Sequence, residues 1–207
     1  MKKLTLNLVA LLAAGTALAG TAPAPAPLPP PPPASGSLLN YNGLELGWLH
    51  TEWDSSFLDS SDGAYGSLTW SPFEHLYLTA GGAWESVDTS WDSSDLWLAN
   101  VGVGGYLSLT SNIDFVTEAG VLFYGVDNSP LGDDNDANIY VRPHFRGRWG
   151  RFETHLGATW SNIDDITNEW SGFARFYFEV WENLDVVGGI SAGTEEYTIN
   201  AGIRLRY

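Results

Sequence analysis

Between residues 138 and 148 the side chains sort into two rows that no single environment suits. Ile139, Val141, Pro143 and Phe145 form one row, and Tyr140, Arg142, His144, Arg146 and Arg148 form the other. A strand sends successive side chains to opposite faces, so this segment needs hydrocarbon on one side and water or paired charge on the other. The end of the chain repeats the split. Tyr197, Ile199, Ala201, Ile203, Leu205 and Tyr207 alternate with Thr198, Asn200, Gly202, Arg204 and Arg206, and the apolar row carries tyrosine at both ends. A sandwich would bury such a row in a core, whereas rings at both ends suit a bilayer with two aqueous interfaces.

The rest of the chain decides between the two. From residue 39 onwards no helical periodicity is evident, and ten segments alternate with period two: 39–50, 63–71, 76–86, 95–109, 113–124, 138–148, 152–162, 168–181, 184–194 and 196–207. Many have the about 9–11 residues of a tilted membrane strand. In the first, Leu44, Leu46 and Trp48 oppose Tyr41, Glu45 and Gly47; in the fourth, Trp97, Ala99, Val101, Val103 and Leu107 oppose Asn100, Gly102, Gly104 and Tyr106. The apolar rows place Trp48, Trp84, Trp97, Trp160, Trp170 and Tyr197 toward one end, and Trp70, Phe115, Phe178 and Tyr207 toward the other. Two aromatic girdles are what amphipathic rings form at two membrane interfaces.

The connections give an independent sign. Odd-to-even connections read as long and acidic (51–62, 87–94, 125–137, 164–167), with the last, 193–196, shorter. Even-to-odd connections read as short (71–75, 110–112, 148–151, 182–183). The expectation is an all-β fold, a transmembrane antiparallel up-and-down barrel of ten strands, with eight as the alternative. An even strand number puts both chain ends on the short-turn side.

Before this region lie two segments of different chemistry. Residues 1–19, with Lys2 and Lys3, an apolar run from Leu6 and the ending Ala17-Leu18-Ala19, have the three parts of a secretory signal peptide cleaved after Ala19. Residues 20–38 contain Pro29 to Pro33 and several Ala-Pro pairs. Proline lacks the amide donor and favours polyproline II, so this stretch reads as a semi-rigid periplasmic tether of about 3 Å per residue. The barrel then occupies residues 39–207.

Composition narrows the function. Nine Lys and Arg stand against 25 Asp and Glu in 207 residues, a formal charge of −16. That balance argues against nucleic acid as a partner. Cysteine is absent, which removes thiolate metal sites and disulfides.

With this alternation, the Gly104-Gly105-Tyr106-Leu107 stretch and a last strand ending in aromatic Tyr207, residues 39–207 resemble the small Gram-negative outer-membrane β-barrel proteins. These form the broad OmpA-barrel, OmpX and opacity-protein group of the porin family. The resemblance implies an outer-membrane location with both termini periplasmic, contact with outer-membrane lipid and lipopolysaccharide, and Tyr207 as the signal read by the barrel-assembly machinery, where that group most often has Phe. Ten strands rather than eight, and no peptidoglycan-binding domain after the barrel, depart from its pattern.

The inward rows carry Glu45, Glu85, Glu118, Glu153 and Glu179 beside Arg142, Arg146, Arg175, Arg204 and Arg206. Opposite charges in a narrow lumen pair strongly, and wide aqueous channels need about 16 strands. A lumen plugged by charged pairs, with Glu45 as partner of Arg204, is therefore expected, and a narrow porin is the alternative. No cofactor and no metal are called for. Gly132-Asp133-Asp134-Asn135-Asp136 is oxygen-rich but lacks EF-hand spacing and reads as solvated surface. His50 near Glu52 and Asp54, and His155 near Glu153 and Ser161, match no catalytic motif. A structural or surface-interaction role follows; Trp53, Phe57 and Trp91 are candidate contacts for an external ligand.

Overall fold

A computed structural model of the chain describes residues 39–54, 58–89, 93–127, 134–162, 170–194 and 196–207. The proposed signal peptide and tether lie outside the described residues. So do Phe57, Trp91 and residues 132 and 133 of the acidic 132–136 stretch.

Ten strands follow one another: β1 (Gly43–Trp53), β2 (Leu58–Phe73), β3 (Leu76–Thr89), β4 (Ser93–Ser108), β5 (Ile113–Asp127), β6 (Asp134–Trp149), β7 (Phe152–Ser161), β8 (Trp170–Trp181), β9 (Leu184–Ala192) and β10 (Glu196–Arg206). Each pairs antiparallel with its sequence neighbour, and β10 pairs with β1 through a continuous register from Gly43↔Arg206 to Trp53↔Glu196. The sheet is thus a closed barrel with no free edge. In lipid that closure is required, because every backbone amide and carbonyl must find a partner within the protein.

Between the two girdles the outward rows are mostly apolar. Leu46, Val101 and Ile203 are each more than half exposed, on a continuous band that water would not tolerate on a monomer. This band is the lipid-facing surface of a transmembrane barrel. Its girdles are built from cross-strand partners: Trp84↔Trp97 and Trp160↔Trp170 at the long-loop end, Phe115↔Phe145 and Phe152↔Phe178 at the short-turn end. Opposed aromatics are among the more favourable cross-strand pairs. At the seam, the Tyr207 hydroxyl donates to the Thr69 carbonyl oxygen at 3.1 Å.

The strand boundaries differ from expectation in two places. Three of the expected acidic connections are largely strand, since β2, β4 and β6 run 16 residues each and leave residues 54–57, 90–92 and 128–133 between neighbours, while 164–167 lies outside the described residues. A ladder needs backbone donors and acceptors rather than apolar side chains, so Ser- and Asp-rich hairpins continue past the girdle into water. The short turns stay short. His75 and Asn183, each the second residue of a two-residue turn, adopt positive φ of 66° and 64°, and the ladder shifts register beside them, the signature of a turn closed by a bulge.

Residues 39–42 are expected to open the first strand, but β1 begins at Gly43. Leu39 and Tyr41 instead pack inside the barrel against Tyr77 and Val116.

Candidate functional site

The lumen has two zones. Side chains crowd its short-turn end, here called the floor, and a cavity of about 440 Å³ extends along the lumen from Gly43 and Thr69 near that end to Leu98 and Glu196 toward the other.

One half of the floor is a chain of alternating charge contributed by β6 to β10. Glu153 is the centre. Its Oε1 accepts from Arg146 Nε at 2.9 Å and Arg204 Nη1 at 2.7 Å, and lies 2.9 Å from His155 Nε2. Arg204 also donates to Asp185 Oδ2 at 2.8 Å. Asp185 pairs with Arg206 at 3.0 Å, and Arg206 with Glu179 at 3.0 Å. Glu179 takes Arg148 as well, which returns the chain to β6. The packing of this half is completed by rings, the Arg204 guanidinium lying 3.8 Å from the Tyr177 ring centre. A short charge-assisted bond to a buried carboxylate is worth about twice a neutral one, and each charge here has at least one opposite partner.

The other half, on β3 to β5, uses rings and a piece of chain. The strap of residues 39–42 inserts Tyr41, whose ring stacks on Tyr106 at 4.1 Å and on Tyr77 at 5.2 Å. Its hydroxyl donates to Asp114 Oδ2 at 2.8 Å. Arg146 joins the halves: its guanidinium sits 4.3 Å from the Tyr41 ring centre, and its Nη2 donates to the Asn40 carbonyl oxygen at 2.6 Å while Nε holds Glu153. Further bonds fix the strap to the wall, from Ser71 N to Asn42 Oδ1 at 2.7 Å and from Asn40 Nδ2 to the Tyr207 carbonyl oxygen at 3.3 Å.

Higher in the lumen the carboxylates are held by tyrosines. Tyr65 donates to Glu45 at 2.8 Å, and Tyr77 and Tyr140 both donate to Glu118, at 3.0 and 2.8 Å. Each of these rings faces a glycine directly across the ladder: Tyr65↔Gly47, Tyr77↔Gly104 and Tyr140↔Gly120. A Cβ on Gly104 would meet the Tyr77 ring itself. Glycine opposite an aromatic lets the ring lie down over the neighbouring strand, a known way to stabilise glycine in sheets. Gly47, Gly104 and Gly120 are therefore seats for tyrosines, which alternation alone does not reveal.

All ten lumen charges named from sequence face inward, but their pairing differs from expectation. Glu45 and Arg204 are direct neighbours across β1 and β10, yet Glu45 pairs with Arg175 at 2.8 Å and Arg204 with Glu153 and Asp185. Arg204 gains two carboxylates in place of one, while Tyr65 and Arg175 hold Glu45. Arg142 meets Glu118 only at 3.5 Å and donates through Nε to Thr159 at 3.1 Å. Glu85 accepts from Thr51 at 3.0 Å and from Ser61. Asp114, Arg148 and Asp185 belong to the floor as well; their inward parity was visible, their participation was not.

The girdle residues Trp48, Trp70, Trp84, Trp170, Phe115, Phe178, Tyr197 and Tyr207 are exposed on the outer face, with Trp97 and Trp160 half-buried against their aromatic partners. His50 lies outside the lumen, stacked on Trp48 and 3.2 Å from Asp62, with Glu52 at 3.8 Å. His155 shares Glu153 with two arginines.

The architecture is that of a ten-stranded transmembrane up-and-down β-barrel. Among solved structures the chain is similar to the outer membrane protein OprG from Pseudomonas aeruginosa, at 8% identity over 83% of this chain and 98% of that one, TM-score 0.46. It is similar to the KdgM porin in complex with disordered oligogalacturonate, at 6% identity over 79% and 99%, TM-score 0.42. Outer membrane phospholipase A from Escherichia coli follows at 10% identity over 81% and 91%, TM-score 0.43. No protein-family model and no curated protein matches the chain. The likeness to these structures is one of fold, and none of their activities passes to this chain with it.

Proposed function

We propose that the protein is an integral outer-membrane barrel with a structural or surface-interaction role, non-catalytic, its lumen closed at the short-turn end. The observation that carries this reading is the floor: Glu153 holds Arg146 and Arg204 on one side, and Arg146 holds the Tyr41 strap on the other. An ion crossing the barrel would have to part buried opposite charges, which costs several kcal/mol in a medium of low dielectric constant. In this reading the short turns and both chain ends face the periplasm, and the acid-rich hairpin ends face outward. The lipid-facing rows contact outer-membrane lipid and lipopolysaccharide, and Tyr207 is read by the barrel-assembly machinery.

Purified protein in a planar bilayer should show no stable conductance steps, and the double variant Glu153→Gln with Tyr41→Ala should show them. Ion-selective steps from the unaltered protein would favour the second reading, a narrow porin, which the cavity along the lumen supports.

A further inference from the structure

The cavity is lined by groups of unequal satisfaction. Among the arginines in lumen ion pairs, Arg142 keeps the largest side-chain exposure, 38%, against 4% for Arg146 and 26% for Arg175. Of its donors, Nε reaches Thr159 at 3.1 Å and Nη1 reaches Glu118 at 3.5 Å; among the described residues Nη2 makes no hydrogen bond. Glu118 is meanwhile engaged by the hydroxyls of Tyr77 and Tyr140. Two rings flank the guanidinium, Tyr140 at 5.4 Å and Phe173 at 5.9 Å. Arg142 and Phe173 line the cavity together with Leu98, Leu122 and Thr159.

We propose that this cavity binds a small organic monocarboxylate, its carboxylate on Arg142 and its apolar body against the Phe173 ring. A volume near 440 Å³ lies within the usual range for small-molecule sites, which pair an apolar lining with a few convergent polar groups. A guanidinium presents a planar fork that matches a carboxylate, and that of Arg142 meets a hydroxyl at 3.1 Å and a carboxylate only at 3.5 Å. Single charge is favoured over double because Glu118 and Glu45 stand in the same lumen, and a dianion would meet their repulsion in a low-dielectric space. The inference deepens the closed-barrel reading, since a floor turns a passage into a cup.

The test is titration calorimetry on the folded protein in detergent, with benzoate, benzamide and inorganic phosphate as probes. Benzoate is expected to bind at least tenfold more tightly than the other two. Arg142→Gln should weaken benzoate tenfold or more, while Arg151→Gln, an arginine of the β6–β7 turn, should bind like the unaltered protein. Heat-modifiable gel migration verifies folding; where Arg142→Gln does not fold, Phe173→Ala must show the weakening. No benzoate binding, equal binding of benzamide or phosphate, or binding undiminished in the variants overturns the proposal. Conductance tests the floor and calorimetry tests the cup, so either can fail alone.

Discussion

The two halves of the lumen floor fill the same end of the barrel by different physics. From β6 to β10 the wall is held by a chain of seven charges running from Arg146 to Arg148. From β3 to β5 it is held by stacked rings around Tyr41, with one carboxylate, Asp114, beneath them. The charged half belongs to the wall itself, so it forms as the strands pair. The aromatic half depends on a strap that precedes the barrel, and it can leave without breaking a single ladder bond. Removal of a partner should therefore destabilise the whole barrel in the first case and only free the strap in the second.

Glu153→Gln is the most damaging single change expected. It leaves Arg146 and Arg204 sharing a neutral acceptor in a site that is 2% exposed, and breaking a buried pair on one side costs about 3–5 kcal/mol. Urea unfolding in lipid vesicles should show that loss in the midpoint. A shift below about 1 kcal/mol would mean that the charge chain contributes little beyond filling space.

Tyr41→Ala removes the ring that Tyr77, Tyr106 and Arg146 contact. Large aromatic-to-alanine changes in cores cost about 3–5 kcal/mol, but here the expected loss in global unfolding is smaller, about 1–2 kcal/mol, because the strap detaches locally and the barrel stays closed. Proteolysis near residue 40 should rise much more than the unfolding midpoint falls. If both fall together as far as in Glu153→Gln, the two halves are one cooperative unit and the contrast between them fails.

The same contrast governs what the sequence could disclose. Parity alone assigns a face, so Arg146, Glu153, Arg204 and Arg206 were visible as inward charges wherever the strand ended. Partnership was not visible, because it depends on curvature: Glu45 lies beside Arg204 in the ladder but is bound by Tyr65 and Arg175. The strap was hidden for a related reason. Tyr41 has the parity of Glu45, so a chain leaving the sheet at Gly43 reads like one still in it. The tyrosine seats on glycine require cross-strand register, and single-strand periodicity carries none.

Gly104→Ala examines a seat that belongs to the aromatic half but lies within the wall. Its new methyl would strike the Tyr77 ring, which is tied to Glu118 and stacked on Tyr41. Overpacking of this kind costs about 1–3 kcal/mol. The loss should appear in global unfolding, unlike that of Tyr41→Ala, because the displaced ring is rooted in β3.

The smallest effect is the one that measures how far the halves communicate. Arg146 alone bonds directly to both Glu153 and the strap among the described contacts, so a double-mutant cycle of Tyr41→Phe with Glu153→Gln reads the coupling through its guanidinium. Tyr41→Phe keeps the stacked ring and removes only the hydroxyl bond to Asp114, a loss of about 1 kcal/mol. Phenylalanine still offers Arg146 a face, so the coupling energy should be below about 0.5 kcal/mol, the additivity expected of independent sites. Repeating the cycle with Tyr41→Ala withdraws that face and should raise the coupling toward about 1 kcal/mol. Equal coupling in both cycles would place the communication in the Asp114 bond rather than in the arginine over the ring, and the join between the halves would then lie on β5.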